Sequence, residues 1–180
     1  MNTDQIKKTL DDTQEFLDGL GKFIDENFLI EGKTIVAWRK YFKIEMPSKD
    51  EDITFHTLVG LSREIIEKYQ KAAYFRDKQT IQLTVLEQSK FDTYHKEYQK
   101  VRTETEAKFN KPLAAESCKV HATLATMELE AALSTQKVVR DFWAKTCDTL
   151  TELRKLVEIL GYALSADAKA QRDFVIKTEQ

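Results

Sequence analysis

At 180 residues and 20.9 kDa the chain has the length of one domain, or of a domain with an appendage. Charged residues make up 32% of it against five glycines and two prolines, which excludes a turn-rich sheet protein and suits long helices with exposed charged faces. A formal net charge of -2 argues against a protein that coats duplex DNA by charge alone, yet it allows a local basic patch balanced by acid elsewhere.

Ile6, Leu10, Leu17, Leu20, Ile24 and Phe28 fall mostly at helical spacings, so residues 3–27 are predicted as an amphipathic helix interrupted near Gly32. The runs Ile35-Val36-Ala37-Trp38 and Tyr41-Phe42-Lys43-Ile44 fit either a short helix or a small hairpin, because aromatic and β-branched residues favour strands. Pro47-Ser48-Lys49-Asp50 marks a hinge. The expected organisation is therefore residues 1–50, an acidic helix plus a short ambiguous segment, and residues 51–180, a helical domain for binding and self-assembly.

After the hinge no proline occurs before Pro112. Phe55, Leu58, Leu61, Ile65, Tyr69 and Ala72, then Val85, Phe91, Tyr94, Tyr98 and Val101, keep a helical period that suits one very long helix or two consecutive ones. Asn110-Lys111-Pro112 is a break, with Pro112 suited to the first turn of the next helix, which carries Leu113, Val120, Leu124, Met127 and Ala131. A pause is expected around residues 134–136. Beyond it Val139, Phe142, Leu153, Leu156 and Leu160 form a stripe that Trp143, Leu150, Val157 and Leu164 widen. So wide a stripe buries against more than one neighbour. The fold class expected is all-α, a long-helix bundle assembling into a homo-oligomer.

No constellation points to catalysis. Gly32-Lys33-Thr34 looks like the end of a phosphate-binding loop, but Asn27 stands where the first glycine is required and no hydrophobic strand precedes it. His56, His95 and His121 are far apart, and Cys118 with His121 supplies two metal ligands where a structural zinc site needs four. Asp92 or Glu97 beside His95 lacks a nucleophile and an oxyanion loop. The expectation is no enzyme activity, no cofactor and no metal. Cys118 and Cys147 have no close-spaced partner, and the start Met1-Asn2-Thr3-Asp4 lacks a signal pattern. With no apolar run of spanning length, no membrane is expected and the location is cytoplasmic.

What does stand out is the stretch from Lys68 to Arg102, with eight basic residues against four acidic ones, interleaved with aromatics, whereas residues 1–52 carry twelve acidic and eight basic side chains. Basic side chains neutralise phosphate and aromatic faces stack bases. Projected at about 100° per residue, Phe91, Tyr94, Tyr98 and Val101 share one face with Arg102 at its edge, and Lys96 and Lys100 lie on the far side. The aromatics are thus expected in the core, so charge rather than stacking supplies affinity for a single strand.

Lys100-Val101-Arg102, the adjacent pair Phe142-Trp143, Asp148 and Gly161-Tyr162-Ala163-Leu164 occur in an order and spacing that resemble the UvsY family of recombination mediators of T-even-like phages, over residues 55–174. Leu160 stands where that family has a basic residue, and the first fifty residues have no counterpart there. The resemblance implies a protein that binds single-stranded DNA, forms a closed ring of identical subunits and helps a recombinase displace single-strand-binding protein. It places DNA contacts at Lys100 and Arg102, to which Lys96 is added by position. The assembly surface is expected along Phe142, Trp143, Leu150, Leu153, Val157, Leu160 and Leu164. The competing expectation is a helical scaffold that self-assembles through the same stripe without binding nucleic acid.

Overall fold

The structure, a computed structural model, describes residues 14, 18–19, 21–49, 52–111 and 113–178. The chain is mostly helical and divides into two compact units, Met1–Ser48 and Lys49–Gln180. Residues 21–27 are helical, whereas most of the helix expected upstream of them lies outside the described residues, as do Asp50 and Pro112.

In the N-terminal unit the ambiguous segment turns out to hold a hairpin and a helix in succession. Strands β1 (Leu29–Ile30) and β2 (Lys33–Thr34) pair antiparallel, Leu29 with Thr34 and Ile30 with Lys33. The two turn residues, Glu31 (φ 48) and Gly32 (φ 77), both adopt the left-handed conformation that a tight hairpin requires, and glycine meets that need without a Cβ penalty. Helix α1 (Ile35–Phe42) follows at once, because the Thr34 hydroxyl accepts a hydrogen bond from the Ala37 amide at 3.2 Å and caps its first turn.

Ile30, Ile35, Trp38, Phe42 and Ile44 are buried in this unit, and the Trp38 indole Nε1 donates to the Ile30 carbonyl at 2.7 Å, tying helix to hairpin. Lys33 sits with its ammonium 4.8 Å from the Trp38 ring centre, and Arg39 pairs with Asp25. The lysine of Gly32-Lys33-Thr34 is therefore engaged with an aromatic face. Trp38→Phe keeps most of the buried area and removes the indole hydrogen bond to the Ile30 carbonyl, which keeps its place in the β1–β2 pair, at a cost of about 1 kcal/mol. Amide hydrogen exchange across residues 29–42 is expected to speed up at least about fivefold; unchanged exchange would mean that the bond contributes nothing.

The C-terminal unit contains α2 (Phe55–Phe109), α3 (Ala115–Ala125) and α4 (Met127–Thr178). With no proline and only Gly60 in its span, α2 continues for 55 residues, about 80 Å at 1.5 Å per residue. It starts where Thr54 and Thr57 cap each other, the Thr54 hydroxyl accepting from the Thr57 amide (3.2 Å) and the Thr57 hydroxyl from the Thr54 amide (2.9 Å). It ends at Asn110, which takes the left-handed conformation.

α2 packs along α4 and, near its C-terminal end, along α3. Phe75 stacks on Trp143 with ring centres 4.7 Å apart, and Lys90 pairs with Glu130. As numbers rise on one helix they fall on the other, so the helices are antiparallel, and residues at one level total about 219 (75 and 143 make 218, 90 and 130 make 220). The seam repeats every seven residues, Leu58, Ile65, Ala72 and Gln79 on α2 facing Trp143, Leu150 and Val157 on α4, all buried. That period keeps one stripe turned to the partner along two long helices, and the result is an antiparallel helical hairpin.

α4 is continuous through residues 134–136, so the pause expected there is a misreading. Ser134 and Thr135 return hydrogen bonds to the carbonyls of Glu130 and Ala131, which lets polar residues sit in an unbroken helix. The interruption comes instead at Thr126, whose hydroxyl and amide both bond to the Thr123 carbonyl. Cys118, Ala122 and Thr126 are buried, small side chains that permit a close approach to α2.

Cys147 is also buried, and burial pushes its thiol pKa up, partly opposed by the guanidinium of Arg76. A group whose folded pKa is raised contributes stability that is intact below its unfolded value and lost as pH rises through the folded one. The hairpin is expected to lose stability above about pH 8.5 through this group. Cys147→Ala melts compared at pH 7 and pH 10 check it, since the variant should lose less on the shift; equal losses would exclude a role for the thiol.

Candidate nucleic-acid interface

Lys96, Lys100 and Arg102 are all exposed on α2. Tyr94, Tyr98 and Val101 are half-buried, but Phe91 is 59% exposed, with its ring 4.3 Å from that of His95. Phe91 thus departs from its expected place in the core. Lys90 takes the position facing α4, held there by Glu130, which turns the next residue outward.

Which flank each side chain occupies follows from its offset to the seam. One residue after a seam position lie Ile66 on α2 and Thr151 on α4, and these two line a common groove of about 340 Å³ with Ile65, Tyr69, Gln70, Leu150 and Arg154. One residue before a seam position lie Lys71 and Lys78 on α2, preceding Ala72 and Gln79. At about 100° per residue these two fall on the flank opposite the groove. The matching positions on α4 at the level of these two lysines are Phe142 and Thr149, neither of them charged.

Lys96 and Lys100 form a pair of ammonium groups one turn apart on α2, level with α3. Lys100 lies 3.5 Å from Glu97 in a largely exposed pair, which water screens and which leaves the lysine able to exchange partners. Arg102 follows Val101 and points about 200° away from Lys100, onto the groove flank. Lys96 and Lys100 are brought together, one turn apart, and Arg102 is not. The sequence projection already separates Lys96 and Lys100 from the aromatics.

The residues expected at a subunit interface divide as well. Trp143, Leu150 and Val157 are buried inside the chain by α2, while Phe142, Leu153, Leu160 and Leu164 are half-buried along its edges. Two other lines of apolar side chains face outward: Tyr74, Ile81 and Val85 on α2, and Val120, Leu124, Met127 and Val138 on α3 and α4, each more than half exposed.

The chain matches no protein-family model, no curated protein and no solved structure. Among the described residues no group of three His, Cys, Asp or Glu side chains is placed to hold a metal, and no helix is long and apolar enough to cross a membrane. Cys118 is buried beside α2 while His121 is exposed, so that pair does not converge.

Proposed function

We propose that this chain is a non-enzymatic, self-assembling protein that binds single-stranded DNA, acting as a recombination mediator that helps a recombinase replace single-strand-binding protein on the strand. The observation that carries the DNA part is the pair Lys96 and Lys100, both exposed and one turn apart on α2. Such a pair neutralises neighbouring phosphates of a flexible strand without reading bases. With Tyr94 and Tyr98 half-buried, charge supplies most of the affinity. The mediator role, the ring and the partner proteins rest on the resemblance to the UvsY family.

A scaffold without nucleic acid is the second reading, favoured by the two outward apolar lines and the net charge of -2. Binding of an unstructured oligothymidine, measured by fluorescence anisotropy between 20 and about 300 mM salt, separates the two. Two or more lysine contacts give a slope of log affinity on log salt of about -1.4 or steeper. An assembled protein with no binding at the lowest salt would leave the scaffold.

A further inference from the structure

Phe91 is the one large apolar side chain left exposed on α2 between Val85 and Phe109. A single apolar residue on a helix surface is ordinary, and what sets this one apart is its neighbours. Its ring meets that of His95 with centres 4.3 Å apart and planes at 61°, and His95 in turn meets the half-buried Tyr94 edge-on at 5.7 Å. Tyr94 anchors His95 and His95 holds Phe91, so an aromatic face is kept at the surface with part of its rotamer freedom already lost. Phe91 and His95 are four residues apart, as are Lys96 and Lys100, and all four are exposed. They form two parallel rows one residue apart, about 100° around the helix and so about 8–9 Å across its surface. One nucleotide bridges such a gap between its phosphate and its base.

We infer that Phe91, held in place by His95, is a stacking platform for the unpaired bases of a strand whose phosphates lie on Lys96 and Lys100. Asp92 and Glu104 take the places before Lys96 and after Lys100 in the lysine row, and both repel phosphate. Contact is thereby confined to the two lysines and to the bases carried beside them. Every base has a π-face, so the platform adds affinity without sequence preference. Duplex DNA keeps its bases stacked on one another and offers no free face, so the platform favours single strands. It deepens the DNA-binding part of the reading above and rests on it, and it adds to charge a contribution that salt does not screen.

The test is binding of the full chain to two probes, followed by fluorescence anisotropy at low salt: an oligothymidine, and a strand of the same length and charge made of abasic sites. The wild-type chain is expected to bind the abasic strand at least about fivefold more weakly. Phe91→Ala should bring oligothymidine down to the abasic level, with binding of the abasic strand and the slope of log affinity on log salt unchanged. Phe91→Trp should keep the difference between the strands, and circular dichroism checks that each variant retains its helix content. Equal binding of the two strands by the wild-type chain, or a Phe91→Ala variant that weakens both alike or neither, would overturn the platform and leave the lysine contacts standing. No binding of either strand at the lowest salt would overturn the DNA-binding reading and the platform with it.

Discussion

Trp143→Ala is expected to destabilise the C-terminal unit by about 3–5 kcal/mol, the range for deleting a large buried aromatic. Trp143 is 0% exposed, its ring lies against Phe75 at 4.7 Å, and Phe142 meets its edge at 5.0 Å. The substitution loses the transfer free energy of the indole and leaves a cavity between two long helices that relax only partly. For a unit of this size the melting temperature should fall by roughly 10 °C or more. The decisive feature is concentration. A side chain buried by α2 of its own chain gives a drop that is the same at high and low protein concentration, whereas one at a subunit interface gives a drop that grows on dilution. A loss below about 1 kcal/mol, or one that appears only in the assembled protein, would move Trp143 to the interface suggested by the stripe alone.

Why that stripe admitted two explanations shows what the residues do and do not encode. The seven-residue spacing of Trp143, Leu150 and Val157 is visible in the sequence, and so is the matching run Leu58, Ile65 and Ala72. What is not visible is that the two runs belong to one hairpin, because the total of about 219 that aligns them is set by the length of α3 and by the break at Thr126. That break carries no glycine or proline. It is made by a threonine bonding to its own preceding turn, a local competition that composition does not reveal. The outcome around it runs against hydrophobicity: Val120, Leu124 and Met127 face outward, and Cys118, Ala122 and Thr126 face α2. Small side chains win the inner positions because they let the helices approach. The bulkier line is left for a surface, a choice that periodicity alone does not make.

The N-terminal unit illustrates a different limit. Between residues 33 and 46 the local preferences pointed both ways because both elements are present, a two-residue strand giving way to a helix at Thr34. Glycine and threonine at adjacent structural steps, Gly32 for the left-handed turn and Thr34 for the cap, mark the change. The expectation of one conformation for the whole segment hid it.

Lys96→Ala combined with Lys100→Ala is expected to weaken binding to single-stranded DNA by about 25-fold at 0.1 M salt, and to make the slope of log affinity on log salt shallower by about 1.4. Each phosphate neutralised on a single strand adds about 0.7 to that slope, and at 0.1 M two such terms are worth about 1.4 decades. Both lysines are exposed, so the substitutions leave the seam intact and the melting temperature close to wild type. Arg102→Ala is the internal control. It removes the same charge two residues further along, but on the flank that faces the groove, about 200° from Lys100. A strand that follows the lysine flank does not reach it, and the expected change is within about twofold. Should Arg102→Ala cost as much as the lysine pair, the strand cannot run along that flank. The Lys-x-Arg pair would then act as the family resemblance implies, with DNA passing around the helix rather than along it.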